Sequence, residues 1–297
     1  MGDHATEPAT ASFVAHRSLL FTVAYEMLGS AADAEDVLQE TWLRWAQVDL
    51  VAVRDRRAYL VRITTRQALN RLRTVQRRRE SYVGSWLPEP LLTAPDVADD
   101  AELAECVSMA LMLVLETLAP TERVVFVLRE VFDVGYDEIA TAVDKSPAAV
   151  RQIAHRARKH VDARRPRVPV TPDETRAVVD ALRRAIEAGD LKGLLDVLAP
   201  DIVLVADGGG LKQAAPRPMV GADRVARFAI GELRKNGRLT AETTQVNGSP
   251  ALAVRLDGQL DGVLAFRVEG TRVTGLYYVR NPEKLTRVTT EVPLALR

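Results

Sequence analysis

The chain has 297 residues, 40 Lys and Arg balanced by 40 Asp and Glu, four His and one Cys, with 47% hydrophobic and 27% charged residues. This is the composition of a folded protein with chain for about two domains, and it excludes intrinsic disorder and an internal disulfide framework. Cys106 stands alone, His4, His16, His155 and His160 lack metal-ligand spacing, and Met1 to Arg17 lacks an apolar signal segment, so a cytoplasmic protein with no metal, cofactor or membrane span is expected.

Zero net charge conceals segregation along the chain. Arg54 to Arg79 holds ten arginines and a single acid, Asp55, while Lys145 to Arg167 holds eight basic residues and a single acid, Asp162. Acids gather instead at Asp33, Glu35, Asp36 and Glu40, and again at Asp96, Asp99, Asp100, Glu102 and Glu105. Two basic islands separated by acidic stretches predict two contacts with a polyanion. Solvated helix faces are the alternative for any single run.

Phe13 to Arg79 reads as helices. Leu20, Val23, Ala24 and Met27 recur three and four apart, Asp33 is placed to cap Ala34 to Trp45, and a further helix turns Tyr59, Leu60, Ile63, Leu69 and Leu72 inward. On that helix Arg62, Arg66, Asn70 and Arg73 form a basic stripe suited to phosphates, beside a loop, Asp49 to Arg57, able to accommodate an unstacked base. Residues 81–100 contain Gly84, Pro88, Pro90 and Pro95 and predict an extended linker. Its tract Trp86-Leu87-Pro88-Glu89-Pro90 is apolar enough to need a docking surface.

Ala101 to Val161 is helical again, with a helix from Glu122 to Phe132, another from Tyr136 to Val143, the turn Asp144-Lys145-Ser146 and a helix opened by Pro147 with Ser146 as its N-cap. Val150, Ala154, Ala157 and Val161 fall in one sector of that last helix, whereas Arg151, Gln152, His155, Arg158 and Lys159 project from the other. An apolar back and a basic, amide-bearing front make a helix-turn-helix able to enter a major groove. After a second Pro-rich linker, Arg164 to Pro172, the pattern changes. Helices Thr175 to Ala188 and Leu191 to Leu198 precede β-branched runs at Ile202 to Val205, Leu252 to Leu256, Val263 to Val268 and Val273 to Val279, separated by Asn-Gly and Asp-Gly turns, which predicts a small α+β domain.

Ala24 to Trp45 closely resembles region 2 of bacterial RNA polymerase sigma factors of the extracytoplasmic function (ECF) type, and Leu118 to Lys159 resembles their region 4. Trp86-Leu87-Pro88-Glu89-Pro90, Asp207-Gly208-Gly209-Gly210 and Asn281-Pro282-Glu283-Lys284-Leu285 resemble the marks of the ECF subgroup with a fused SnoaL-like domain, called ECF41 or SigJ-like. Two departures are present: Leu211 separates the glycines from Lys212, and Glu283 stands where Asp is common. The resemblance implies a multidomain protein of two all-α domains followed by an α+β, NTF2-like cone. The expected divisions are 10–80 for region 2, 81–100 for the linker, 101–165 for region 4 and 173–290 for the SnoaL-like domain. It also implies an alternative sigma factor that binds core RNA polymerase (clamp and flap) and promoter DNA, is controlled in cis, and requires no separate anti-sigma factor. Within it, Asp33, Asp36, Gln39, Glu40, Trp42 and Leu43 contact polymerase, Arg62, Arg66, Asn70 and Arg73 the −10 element, and Ser146, Arg151, Gln152, His155, Arg158 and Lys159 the −35 element. Trp86 to Pro90, Asp207 to Gly210, Lys212 and Asn281 to Leu285 form an interdomain regulatory set.

The C-terminal domain leaves an alternative open. Cone folds of this type enclose pockets and can be enzymes, and Asp207, Tyr277, Tyr278 and Arg280 are candidates to line one. The domain contains no His or Cys and no acid-base pair recognisable by spacing, and Asp207 before three glycines also reads as a strand-end turn. Regulation, with no enzymatic activity, is therefore expected; the alternative is a DNA-binding regulator fused to a ligand-sensing or enzymatic SnoaL-type domain.

Overall fold

The computed structural model describes residues 3–79, 81–94, 101–164, 170–235, 239–288 and 290–296. The expected acids Asp96, Asp99 and Asp100, the end of the first linker and most of the second lie outside the described residues. The chain divides into two compact units: residues 1–80, 114–165 and 293–297 form one, and residues 81–113 and 166–292 the other. The linker and the helices that follow it therefore fold with the C-terminal sheet rather than with the helices on either side of them in sequence.

In the helical unit, α1 (Asp3–Leu28) packs on α2 (Ala31–Trp45) and α3 (Arg56–Arg79). Leu20, Val23, Ala24 and Met27 are buried, as their spacing requires. Gly29, at φ 68°, ends α1 in the left-handed conformation, and α2 begins at once. Its N-cap is Ser30, whose hydroxyl accepts the Asp33 amide, rather than Asp33 as the sequence suggested. A serine directly after the glycine leaves no room for a later start. Trp45 is fully buried and donates its indole N–H to the Ala9 carbonyl at 2.9 Å.

The second half of this unit contains α6 (Pro120–Phe126), α7 (Tyr136–Val143) and α8 (Pro147–Asp162). The expected helix to Phe132 is interrupted: Val127–Val131 adopt a π turn closed by the Phe132 amide on the Val127 carbonyl. Arg123 of α6 is almost completely buried; its Nε and Nη2 donate to the Glu26 carbonyl of α1, and it also pairs with Glu116. Arg79 closes the knot by pairing with the same Glu116. Charge in a dry site persists only when paired and hydrogen-bonded in this way.

The second unit contains α4 (Ala101–Val107), α5 (Met109–Leu115, its last two residues falling to the helical unit), α9 (Pro172–Ala188), α10 (Leu191–Val197), α11 (Ala222–Lys235) and a six-stranded sheet. The strands are β1 (Leu198–Asp207), β2 (Met219–Val220), β3 (Leu239–Val246), β4 (Ser249–Leu256), β5 (Gln259–Glu269) and β6 (Arg272–Val279), in the spatial order β2-β1-β6-β5-β4-β3. Only the β1–β6 pair among these is parallel. Side chains alternate across the pleat. Leu204, Leu252, Leu264 and Leu276 meet Val179, Leu182, Leu194 and Val225 of the helices on one face. Val263, Ala265, Tyr277 and Val279 meet Leu87 of the linker, Met109 and Leu285 on the other. The sheet is thus covered on both sides, and the linker is part of its core. The sequence reading left out α11, the two-residue β2 and β3; in β3, Thr243, Thr244 and Gln245 lack the apolar alternation of the other strands.

Candidate functional site

Ser146 accepts the Ala149 amide and starts α8, while Asp144 turns the chain at φ 56° after α7. Val150, Ala154, Ala157 and Val161 are buried, joined by Ile153, which the sequence reading did not single out. Arg151, Gln152, His155, Arg158 and Lys159 are all exposed on the opposite face. Two neighbours shape that face. Tyr136 lies under the guanidinium of Arg151 at 5.7 Å, and Glu130 forms a two-pronged pair with Arg158 at 2.6 and 2.9 Å. The carboxylate of Glu130 holds Arg158 above the usual guanidinium range. Arg151, Gln152, His155 and Lys159 are the side chains that face outward beside this fixed pair.

On α3, Arg62 stacks over Tyr59 at 4.5 Å, and Arg66, though exposed, donates to the Thr141 carbonyl of α7 at 2.8 Å. Asn70 and Arg73 are exposed one and two turns further along. A cleft of about 380 Å³ lies beside this stripe, between Val53, Arg54 and Tyr59 on one wall and Glu138 and Thr141 on the other. The loop that forms it is fixed by Asp49, whose carboxylate accepts the Val51 amide at 3.0 Å.

The six candidate positions of α2 are not equivalent. Asp33 and Asp36 are both bound to Arg71 of α3, at 2.7 and 2.6 Å, and Glu40 accepts from Gln67 at 2.6 Å. Trp42 packs on Phe13 with ring centroids 5.3 Å apart. Gln39 is exposed and Leu43 is 62% exposed, a large apolar side chain left facing outward. Arg71, which orders the acidic edge, was missed because it reads as one more base in a basic run.

The linker anchor is built around Asp207, the fully buried last residue of β1. Its Oδ2 accepts the Leu87 amide at 2.9 Å and the Lys284 ammonium at 2.7 Å; its Oδ1 accepts the Tyr82 hydroxyl at 2.7 Å and the Gly209 amide at 3.0 Å. The carbonyl of Asp207 also accepts the amides of Arg280 and Asn281. Lys284 reaches the Leu87 carbonyl at 2.5 Å and lies 4.2 Å from the centroid of the Trp86 ring. Asn281 donates to Tyr82 at 2.9 Å. Leu87, Pro88, Glu89 and Pro90 are buried, and residues 91–93 run along the end of β3, the Leu91 amide on Asn247 and the Thr93 amide on the Gln245 carbonyl. Gly209 has φ 62°, and a Cβ there would run into the Asn281 side chain. Gly208 is buried and Gly210 exposed; of the last segment, Leu285 is buried while Pro282 and Glu283 are exposed. Tyr82 was missed because it precedes the apolar tract, although burial and the Asp207 carboxylate hold its hydroxyl firmly protonated.

The Lys212 amide donates to the Gly208 carbonyl, but its side chain does not join this set. Its ammonium donates to the carboxylate and carbonyl of Asp261 on β5, both at 3.0 Å. Leu211 extends the turn by one residue and is itself 61% exposed. Of the four candidates to line a cone pocket, Tyr278 and Arg280 do so, whereas Asp207 and Tyr277 stand on the opposite side of the pleat, with the linker. Asp261, which had not been singled out, joins the two: it accepts the Tyr278 hydroxyl at 2.6 Å and two guanidinium nitrogens of Arg280 at 2.8 and 3.1 Å. Burial pushes its carboxyl up, but the hydrogen bonds from Arg280, Tyr278 and Lys212 outweigh it and hold it below the usual range. Among the described residues, no group of His, Cys, Asp and Glu is placed to hold a metal ion, and no helix is long and apolar enough to cross a membrane.

The sigma-70 region 2 family model matches residues 13–79, and the sigma-70 region 4 model matches residues 108–161. The chain is 38% identical over 295 residues to the ECF RNA polymerase sigma factor SigJ of Mycobacterium tuberculosis, covering 92% of both proteins. It is 32% identical over 289 residues to the probable ECF RNA polymerase sigma factor SigI of the same species, covering 96% of this chain and 98% of that one. The crystal structure of M. tuberculosis SigJ superposes with a TM-score of 0.76 at 35% identity, over 94% of this chain and 98% of that one. With both sigma-70 regions matched in order and the likeness running the length of the chain, the protein belongs to the ECF RNA polymerase sigma factors, as an alternative sigma factor with a C-terminal α+β domain.

Proposed function

We propose that this sigma factor directs core RNA polymerase, in the cytoplasm, to promoters read by α8 at the −35 element and by α3 with its adjoining loop at the −10 element. Asp36, Gln39, Glu40 and Leu43 of α2 then form the face offered to the polymerase clamp, with Asp33 ordering Arg71 behind it and Trp42 fixing the helix on Phe13. The domain divisions 10–80, 81–100, 101–165 and 173–290 describe the functional regions, with the linker and its following helices folded as part of the regulatory module.

Control in cis rests on one observation: Asp207 binds the linker backbone at Leu87 and, through Lys284, the carbonyl of the same residue. The linker connects region 2 to region 4, so anchoring it limits the separations the two regions can adopt. Two linked DNA-binding modules gain from each other only when their spacing matches the promoter. No separate anti-sigma protein enters this scheme. A regulatory rather than catalytic cone is supported by Asp261, whose carboxylate accepts hydrogen bonds from three side chains and so is a poor proton acceptor.

The test is transcription by core RNA polymerase with and without the chain on a library of randomised promoters. Transcripts with a shared pair of upstream elements, made only when the chain is present, are expected. Transcription that is independent of the chain, or binding of DNA without any effect on polymerase, would overturn the reading.

A further inference from the structure

The cone contains a cavity that none of the roles above uses. It is about 110 Å³ in volume and lies between the helices and the sheet, walled by Leu182, Leu204, Ala226, Phe228, Val254 and Leu264. Apolar cavities of about 150 Å³ stay dry and take up benzene. At about 110 Å³ this one is smaller, so a single ring is the largest occupant that suits it.

One end is polar, and its chemistry is selective. Glu232, Asp261, Tyr278 and Arg280 border it, and Lys212 reaches Asp261 from the side. Two cationic and two anionic groups leave the end without net charge. The guanidinium of Arg280 is already engaged, with two nitrogens on Asp261 and Nη1 on the Gln213 carbonyl at 2.5 Å. A ligand carboxylate would therefore meet two protein carboxylates and a guanidinium already committed. The Tyr278 hydroxyl gives its proton to Asp261, so its oxygen is left as an acceptor. Burial, then the charge of Asp261, keeps that hydroxyl protonated. The polar end thus favours a ligand that donates, and an apolar wall favours one that is otherwise hydrocarbon.

We propose that this cavity binds a neutral molecule of single-ring size with one hydrogen-bond donor, a phenol or cyclic alcohol, whose hydroxyl donates to Tyr278. The proposal rests on the reading of the cone as a regulatory module. Its polar end adjoins the linker anchor, since the amide of Arg280 is bound to the carbonyl of Asp207.

The experiment is calorimetric titration of the full chain with p-cresol, toluene and 4-methylbenzoate, with nuclear Overhauser contacts from the p-cresol ring to the methyl groups of Leu204 and Val254. One saturable p-cresol site per chain is expected, at least tenfold tighter than toluene, with no saturable binding of 4-methylbenzoate. Tyr278→Phe should bring p-cresol to the level of toluene, and Ala226→Leu, filling the cavity, should remove both. Lack of p-cresol binding by the cooperatively melting wild-type chain would overturn the proposal. So would equal affinity for toluene, or ring contacts away from Leu204 and Val254. If p-cresol fails to bind while promoter-dependent transcription persists, this inference alone falls; if it binds and transcription is absent, the sigma-factor reading alone falls.

Discussion

The carboxylate of Asp207 holds the backbone amide of Leu87 at 2.9 Å, across 120 residues of chain. The same carboxylate neutralises Lys284, whose ammonium returns to the Leu87 carbonyl, so both polar groups of one linker residue are satisfied by one buried ion pair. Asp207→Ala would leave an ammonium and an amide without their acceptor. Breaking one side of a buried pair costs about 3–5 kcal/mol. Urea unfolding of the full chain should show a loss of that order, with faster proteolysis within residues 81–94; Asp207→Asn should lose less, because the amide oxygen still accepts.

The proposed role of α8 in reading the −35 element makes a separable prediction. Arg151→Ala or Gln152→Ala should cost about 1–3 kcal/mol at particular base pairs of the −35 element, whereas Lys159→Ala should weaken all sequences alike and lower the salt slope by about 1. Arg158 is tied to Glu130, so Arg158→Ala should affect the melting temperature as well as DNA binding. Gel-shift titrations on single-base variants, at two salt concentrations, distinguish these cases.

On α2 the packing separates contact from support. Leu43 is 62% exposed, so Leu43→Asp should lower affinity for core polymerase at an unchanged melting temperature. Trp42 leans on Phe13, so Trp42→Ala should lower both. Pull-down with core enzyme, beside thermal melting, reads the two effects.

Glu26 gives the helical unit a pH dependence. Burial raises its carboxyl to about 8, with Arg123 pulling the other way, and neither carboxylate oxygen has a hydrogen-bond partner. The folded chain keeps this proton up to about pH 8, while the unfolded chain releases it near 4.5. Stability from this group is therefore complete at the acid end of that window and declines as pH rises through it, by about 1.4 kcal/mol per pH unit. Glu26→Gln should flatten the decline and make the protein more stable than wild type at the alkaline end, as measured by urea unfolding across the window.

Much of this was legible in the sequence, for identifiable reasons. Helical periodicity and the Ser146-Pro147 start located α8, because local caps and a single apolar sector determine that helix without distant partners. That Trp86 to Pro90 needs a docking surface follows from an apolar, proline-stiffened strip, whereas its partners at Asp207 and Asn281 to Leu285 came from the resemblance to the family. What the sequence withheld depends on pairing at long range. Arg71 with Asp33, Arg123 with the Glu26 carbonyl, and Asp261 with Tyr278 and Arg280 join charges whose spacing carries no local signal. Lys212 illustrates the same limit: its place after the glycines pointed to the linker, yet it pairs with Asp261.

Control in cis by the linker anchor is read out most directly in transcription by core polymerase from a cognate promoter. The full chain is compared with Lys284→Gln and with a chain ending after Arg280, which lacks both Asn281 and Lys284. A higher transcript yield is expected from both altered forms, at matched polymerase binding, because each removes the Lys284 ammonium that ties the Leu87 carbonyl to Asp207 and so weakens the linker anchor. Yields equal to that of the full chain would contradict it.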